Sequence, residues 1–266
     1  MSQNSALANF LSGLSSTRDD LPTAFIAYLA ALDQVASVSP EVAKAIVKEL
    51  TDQSNSLKMI ASENYSSIAV QLAMGNLFTD KYAEGHPYHR FYAGCDNVDT
   101  VESRAADLAK ELFEADHAYV QPHSGADANM VAYWAILNSR VQTPFMERLQ
   151  QTDPSKLSNT DWTELRNSLG KQRLLGMNYY SGGHLTHGYR LNMSSRMFVA
   201  ESYDVNRDSH LIDYEAIRDH AKRFKPLILL AGYSAYPRKI DFRAFRDIAD
   251  EIGAVLMVDM AHFAGL

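Results

Sequence analysis

Residues 226–259 read PLILLAGYSAYPRKIDFRAFRDIADEIGAVLMVD, and this stretch decides the fold class. Its two ends, 226–232 and 254–259, are almost wholly apolar runs of strand length. Between them Asp241 reads as the cap of a helix over Phe242–Ile252, which Gly253 ends. Near-continuous apolar strands that alternate with helices imply a parallel sheet covered on both faces.

The same rhythm extends upstream. Asp213 predicts a helix running to Phe224, and 173–177 and 197–201 read as strands. A helix over 126–137 follows a short strand at 117–121. Residues 140–171 break the pattern, being polar, with Pro144, Pro154 and Trp162 and no strand character. They read as an insertion on the sheet scaffold, with Leu149, Leu157, Leu165 and Leu169 placed for short helices. Ahead of the sheet lies an aromatic, glycine-rich stretch, 81–94, then Asp99 and Glu102 as a capping pair for a helix. The first sixty residues read as helices. Asp19 and Asp20 precede Pro22, the run Phe25, Tyr28, Leu29, Leu32 keeps helical spacing, and Ser39-Pro40 opens a second helix with Val42, Ile46 and Leu50. The expected organisation is a helical arm, 1–66, that packs onto something larger, followed by an α/β domain, 67–266, carrying the 140–171 insertion.

Composition narrows the function. The 266 residues are 46% hydrophobic and 21% charged, with a formal net charge of -7. That balance argues against a general nucleic-acid binder. No apolar run reaches the roughly 18 residues of a membrane helix. Cys95 is the only cysteine, and the start MSQNSALANFLSGL lacks the basic, then apolar, pattern of a secretory leader. A cytoplasmic location is expected.

In such sheets ligands bind beyond the carboxyl ends of the strands. Four segments fall there. His123-Ser124-Gly125-Ala126 opens a helix, where free N–H groups and a hydroxyl suit a phosphate, although an ordinary Ser-Gly cap reads the same way. Ser181-Gly182-Gly183-His184-Leu185-Thr186-His187-Gly188 lets backbone and ring approach a flat ligand. Tyr233-Ser234-Ala235-Tyr236 follows one apolar run, and Asp259-Met260-Ala261-His262 follows the other. A strand-tip carboxylate such as Asp259 is the partner that a protonated pyridine ring requires, and it also serves as an ordinary turn cap. The spacings His184-x-x-His187 and Asp259-x-x-His262 also suit metal ligands. No His-Glu-x-x-His helix accompanies them, and no metal is expected.

Taken together, IASENY at 60–65, KYAEG at 81–85, QPHSGA at 121–126, GGHLTHG at 182–188, SAY at 234–236 and VDMAHFAGL at 258–266 resemble serine hydroxymethyltransferase. The matches are collinear from about residue 57 onward. The resemblance implies a fold-type-I, aspartate-aminotransferase-like pyridoxal-phosphate enzyme, working as a homodimer or tetramer, that moves a one-carbon unit between serine and tetrahydrofolate and yields glycine. It implies that Ser124, Gly125 and Ala126 hold the cofactor phosphate, His184 stacks on the ring, and Asp259 pairs with the ring nitrogen. Ser234 and His262 then lie near the ring oxygen and the lysine linkage. Glu84 is the implied acid/base group. Ser62, Tyr82 and Tyr92 are implied substrate and cofactor contacts, with Tyr82, Glu84 and Tyr92 reaching in from a neighbouring subunit. Tyr179, Gly183, His184 and Leu185 are implied to meet folate. The implied catalytic set is Glu84, His184, Asp259 and His262.

Some residues depart from the family pattern. Phe91 stands where tyrosine is usual, and Tyr88-His89 replaces small residues. The family's Schiff-base lysine sits in a Thr-Thr-Thr-His-Lys context, which does not occur in the 266 residues. Two alternatives therefore stay open: an aldolase acting on serine or threonine with the same cofactor, and a fragment without catalytic activity.

Overall fold

The computed structural model describes residues 5–13, 22–60 and 62–266. The chain forms two compact units, 1–116 and 117–266. Residues 67–116, expected with the sheet, belong by their contacts to the first unit.

The first unit is helical. It contains α1 (Ala6–Ser12), α2 (Thr23–Val38), α3 (Pro40–Asn55), α4 (Ile68–Met74) and α5 (Asp96–Phe113). The expected cap residues Asp19 and Asp20 lie outside the described residues, and Pro22 precedes α2 without a side-chain cap. Val42, Ile46 and Leu50 form an exposed stripe on α3. Between α4 and α5 a small antiparallel hairpin pairs β1 (Gly85–His86) with β2 (His89–Arg90).

Asp99 and Glu102 do not cap α5, because the helix already begins at Asp96 behind Cys95. They are occupied by Arg90. Its Nε donates to Asp99 Oδ1 at 2.7 Å and its Nη2 to Glu102 Oε2 at 2.6 Å. Nη1 donates to the carbonyls of Ala83 and Gly85. Tyr88 has a φ of 65°, a costly conformation for a bulky residue, and its N–H donates to Asp99 Oδ2 at 3.1 Å. One buried guanidinium thus pins the loop to the helix after it.

The second unit carries a parallel sheet of β3 (Arg173–Met177), β4 (Val199–Tyr203), β5 (Ile228–Gly232) and β6 (Val255–Asp259), in spatial order β4-β3-β5-β6. The β3·β4 and β5·β6 ladders each register over five residue pairs, whereas β3·β5 registers over two, Leu174↔Ile228 and Leu175↔Leu229. Every β5 residue is buried, as a strand covered on both faces requires. On one face, α10 (Tyr214–Phe224) and α11 (Phe242–Ile252) bring Ile217, Phe245 and Ile248 onto Leu175 and Leu229. On the other, α6 (Gly125–Leu137) brings Tyr133 and Leu137 onto Leu174, Ile228 and Leu230. Asp213 and Asp241 cap their helices as expected, and Gly253 ends α11 with a φ of 71°.

One expectation changes here. Residues 117–121 form no strand, since none of the described strands offers them a ladder. Residues 140–171 hold short helices, as expected of them. They contain α7 (Thr143–Arg148) and α8 (Asn159–Gly170), which share a small core of Phe145, Met146 and Leu165. The remaining short helix, α9 (Ser194–Met197), leads into β4. Among the described residues no helix is long and apolar enough to cross a membrane.

Candidate active site

The loops that leave β3, β5 and β6 converge with the start of α6. Gly182, at a φ of +108°, turns its carbonyl to accept from the N–H groups of Ser234 (2.7 Å) and Ala235 (3.0 Å). A side chain on Gly183 would collide with the backbone of Met177 and Asn178, so only glycine lets the loop double back onto β3. The rings of Tyr233 and Phe263 meet at 4.8 Å, joining the loops after β5 and β6.

Asp259, the last residue of β6, is the centre of this arrangement. Its Oδ2 accepts from His187 Nε2 and from Asn129 Nδ2, both at 2.9 Å. Its Oδ1 accepts the N–H of Ala261 at 3.2 Å. Burial alone would raise its pKa, but the hydrogen bonds from His187 and Asn129 and the His187 ring hold it well below the usual carboxylate range. Asp259 is therefore an anion at neutral pH. With about four lone-pair directions on a carboxylate, one on Oδ1 remains for a further donor.

His184 is half-buried, and its Nδ1 lies 2.8 Å from Thr186 Oγ1. Burial, then the His187 ring, with a smaller contribution from His262, lowers its pKa, against a pull upward from Asp259. The ring is neutral at neutral pH and can lie against a cationic ring without like-charge repulsion. The hydroxyl oxygen of Ser234 and Nδ1 of His262 are buried without a hydrogen-bond partner. Leaving such an atom unpaired costs about 1–3 kcal/mol, so a ligand that offers matching polar atoms recovers that energy. Ser124 caps α6 by accepting from the N–H of Asp127 at 3.1 Å. The amides of Gly125 and Ala126, in the first turn, have no partner within the helix, and open space surrounds Gly125.

The chain is similar to known proteins over nearly all its length. A family model described as serine hydroxymethyltransferase matches residues 35–147 and 160–266. The chain belongs to the serine hydroxymethyltransferase family. The enzyme of that name from Treponema pallidum is 60% identical over 263 residues, 99% of this chain and 46% of the relative. That from Mycolicibacterium smegmatis is 60% identical over 248 residues, 93% and 51% of the two chains. That from Chlamydia trachomatis serovar D is 49% identical over 244 residues, 91% and 49%. The chain spans about half the length of these curated relatives. Only residues 148–159 fall between the matched segments, so α7 lies almost wholly within the match and α8 enters it at its second residue.

The loops after β3, β5 and β6 carry His184, Ser234, Asp259 and His262, and Ser124 caps the helix from which Asn129 reaches Asp259. Tyr179 and Leu185 sit on short turns flanking the glycines, with Tyr179 against Tyr180 and Tyr189. In the first unit Tyr82 and Glu84 meet, the Tyr82 hydroxyl donating to Glu84 Oε1 at 3.1 Å, and the Tyr82 and Tyr92 rings lie 5.5 Å apart. Ser62 is exposed. Phe91 is also exposed.

Sequence reasoning missed Asn129, Thr186 and the structural task of His187. The His187 motif also suggested a metal, and ligand atoms of His184, His187 and Asp259 do lie within 4.8 Å of one another. His187 Nδ1 accepts the N–H of His184 at 3.2 Å, so its proton is on Nε2 and faces Asp259. Asn129 had a readable signal, being a polar residue inside the apolar face of α6 one turn beyond the cap.

Proposed function

We propose that the protein is a pyridoxal-phosphate enzyme that transfers the hydroxymethyl carbon of serine to tetrahydrofolate, leaving glycine. The observation that carries this reading is the pair of buried, unpartnered polar atoms on Ser234 and His262, beside an ionised strand-tip carboxylate. A flat, polar-edged ring with a protonated nitrogen fits all three.

Asp259 would hold the ring nitrogen through the free lone pair on Oδ1, and His184 would press on the ring face. Ser234 and His262 would pair with polar atoms on the ring edge. Ser124, Gly125 and Ala126 would hold the phosphate at the positive end of α6. The cofactor supplies an electron sink that weakens bonds at the amino acid's α-carbon. Asp259 keeps that sink effective by remaining an anion, and His184 excludes water from one face. Glu84 would hold or release a proton at the substrate hydroxyl, with Tyr82 steadying its carboxylate. Ser62, Tyr82 and Tyr92 would contact substrate and cofactor, and Tyr179, Gly183, His184 and Leu185 would meet the folate. A homodimer in the cytoplasm completes the reading, with Tyr82, Glu84 and Tyr92 serving the neighbouring subunit's site.

Serine labelled at its hydroxymethyl carbon, supplied with pyridoxal phosphate and tetrahydrofolate to the protein encoded in full, tests this. Label is expected on the folate, with glycine formed in equal amount. Release of labelled formaldehyde at a rate indifferent to folate would instead favour the aldolase.

A further inference from the structure

Asn129 is buried, and its amide carries two hydrogens. Each has an acceptor: Thr186 Oγ1 at 2.7 Å and Asp259 Oδ2 at 2.9 Å. The orientation of the amide is thereby fixed, because a flip would set its oxygen against the Asp259 carboxylate, which can only accept. The Thr186 hydroxyl, having accepted, still has its own proton to place. His184 Nδ1 lies 2.8 Å from it. The N–H of Thr186 donates to that same nitrogen at 3.2 Å. Two donors on Nδ1 require that Nδ1 be the unprotonated nitrogen of His184. On the far side, His187 closes the circuit, with its proton on Nε2 toward Asp259 and its Nδ1 taking the N–H of His184. The Tyr133 hydroxyl fixes the backbone here by donating to the carbonyl of Thr186 at 2.7 Å.

We infer that Asn129 and Thr186 are positioning residues, whose hydrogen bonds run outward from the Asn129 amide, to Asp259 on one side and through the Thr186 hydroxyl to His184 on the other, and lock the His184 ring as its Nε2–H tautomer. The ring cannot flip without setting a C–H against the Thr186 hydroxyl. Its remaining polar group is a donor, Nε2–H, so a ligand at that edge meets a donor and never an acceptor. The titratable groups that face His184 are His187, His262 and Asp259. The two imidazoles oppose its protonation, and Asp259, whose Oδ2 is already taken by His187 and Asn129, favours it only through space. The purpose of the lock rests on the function proposed above. The lock itself needs only residues of this chain.

Imidazole-15N-labelled protein, read by long-range 15N–1H correlation across pH, tests it. His184 is expected to show an unprotonated Nδ1 and a protonated Nε2 at neutral pH, with titration below the ordinary histidine range. Finding the proton on Nδ1, or a cationic ring at neutral pH, overturns the inference in the wild-type protein alone. Thr186→Val keeps the longer backbone N–H contact to Nδ1 and loses the hydroxyl, so it is expected to admit a minor Nδ1–H form beside the wild-type tautomer, whereas Thr186→Ser keeps the wild-type pattern. Thr186→Val with an unchanged single tautomer, or a folded Thr186→Ser that behaves as Thr186→Val does, also overturns it. Asn129→Leu is expected to loosen the tautomer partially by freeing the Thr186 hydroxyl to rotate. Failure of the wild type to bind pyridoxal phosphate would sink the functional reading and leave the tautomer result standing.

Discussion

Gly232→Ala is the most demanding test of the sheet's geometry. Gly232 is the last residue of β5, opposite Asp259 in the ladder, with a φ of +119°. That conformation alone costs a residue with a side chain about 1–3 kcal/mol. A methyl there also lands on the backbone of Asp259, 2.8 Å from its carbonyl carbon and closer still to its oxygen. Neither atom is the end of a flexible chain, so β6 must shift, at a further cost of about 1–3 kcal/mol. The midpoint of the sum is about 4 kcal/mol, which at roughly 2–4 °C per kcal/mol lowers the melting temperature by about 8–16 °C. Gly170→Ala is the control, since nothing lies within 4 Å of its added carbon. It sits at the end of α8 and is expected to gain about 0.4–1 kcal/mol. Thermal unfolding followed by circular dichroism gives both values. Equal melting of Gly232→Ala and wild type, or shifts of both variants in the same direction, would refute the reasoning.

Arg90→Ala strips the charge partner from Asp99 and Glu102, where the Arg90 and Asp99 side chains are 3% and 7% exposed. A loss of about 3–5 kcal/mol is expected, with faster hydrogen exchange across 83–91 as the local readout. Asp259 has a pKa lowered by folding, so its stabilisation is present above the ordinary carboxylate value near about 3.9 and is lost as pH falls below that through the lower native value. Asp259→Asn should therefore lower the urea midpoint at pH 7, and its gap from wild type should narrow only below about pH 4; a constant gap down to strong acid contradicts this. Asp241→Ala removes a cap that accepts from the N–H groups of Arg243 and Ala244, each at 3.0 Å. It should cost about 1 kcal/mol, and Asp241→Asn should restore most of it.

What the sequence made legible was local. The elements β3, β5, α10, α11 and β6 announce themselves through apolar runs and through Asp213, Asp241 and Gly253, features that act within a few residues. Asp99 was misread because its true partner is a guanidinium on a separate hairpin, and an acidic pair near a helix start looks the same in either case. Residues 117–121 have strand composition, but a strand exists only with a neighbour, and none of the described strands supplies one. The loops that converge beyond the strand ends were legible by combining strand ends with motifs. The support behind them was hidden, because Asn129 lies 130 positions from Asp259 and 57 from Thr186. Periodicity carries no information about such pairs.

The two-pair ladder between β3 and β5 has a consequence for how the second unit opens. It divides the sheet into a β3–β4 half and a β5–β6 half, each laced by five pairs. Hydrogen exchange should accordingly report two cooperative blocks, with the boundary at this seam. The bonds from Ser234 to Gly182 and from His187 to Asp259 are stitches across it, near the mouth where a ligand would enter. A molecule that touches His184 on one side and Asp259 on the other adds further stitches, so its binding energy closes the seam as well as filling the pocket. Slowed exchange of the two blocks in unison is the signature of that coupling.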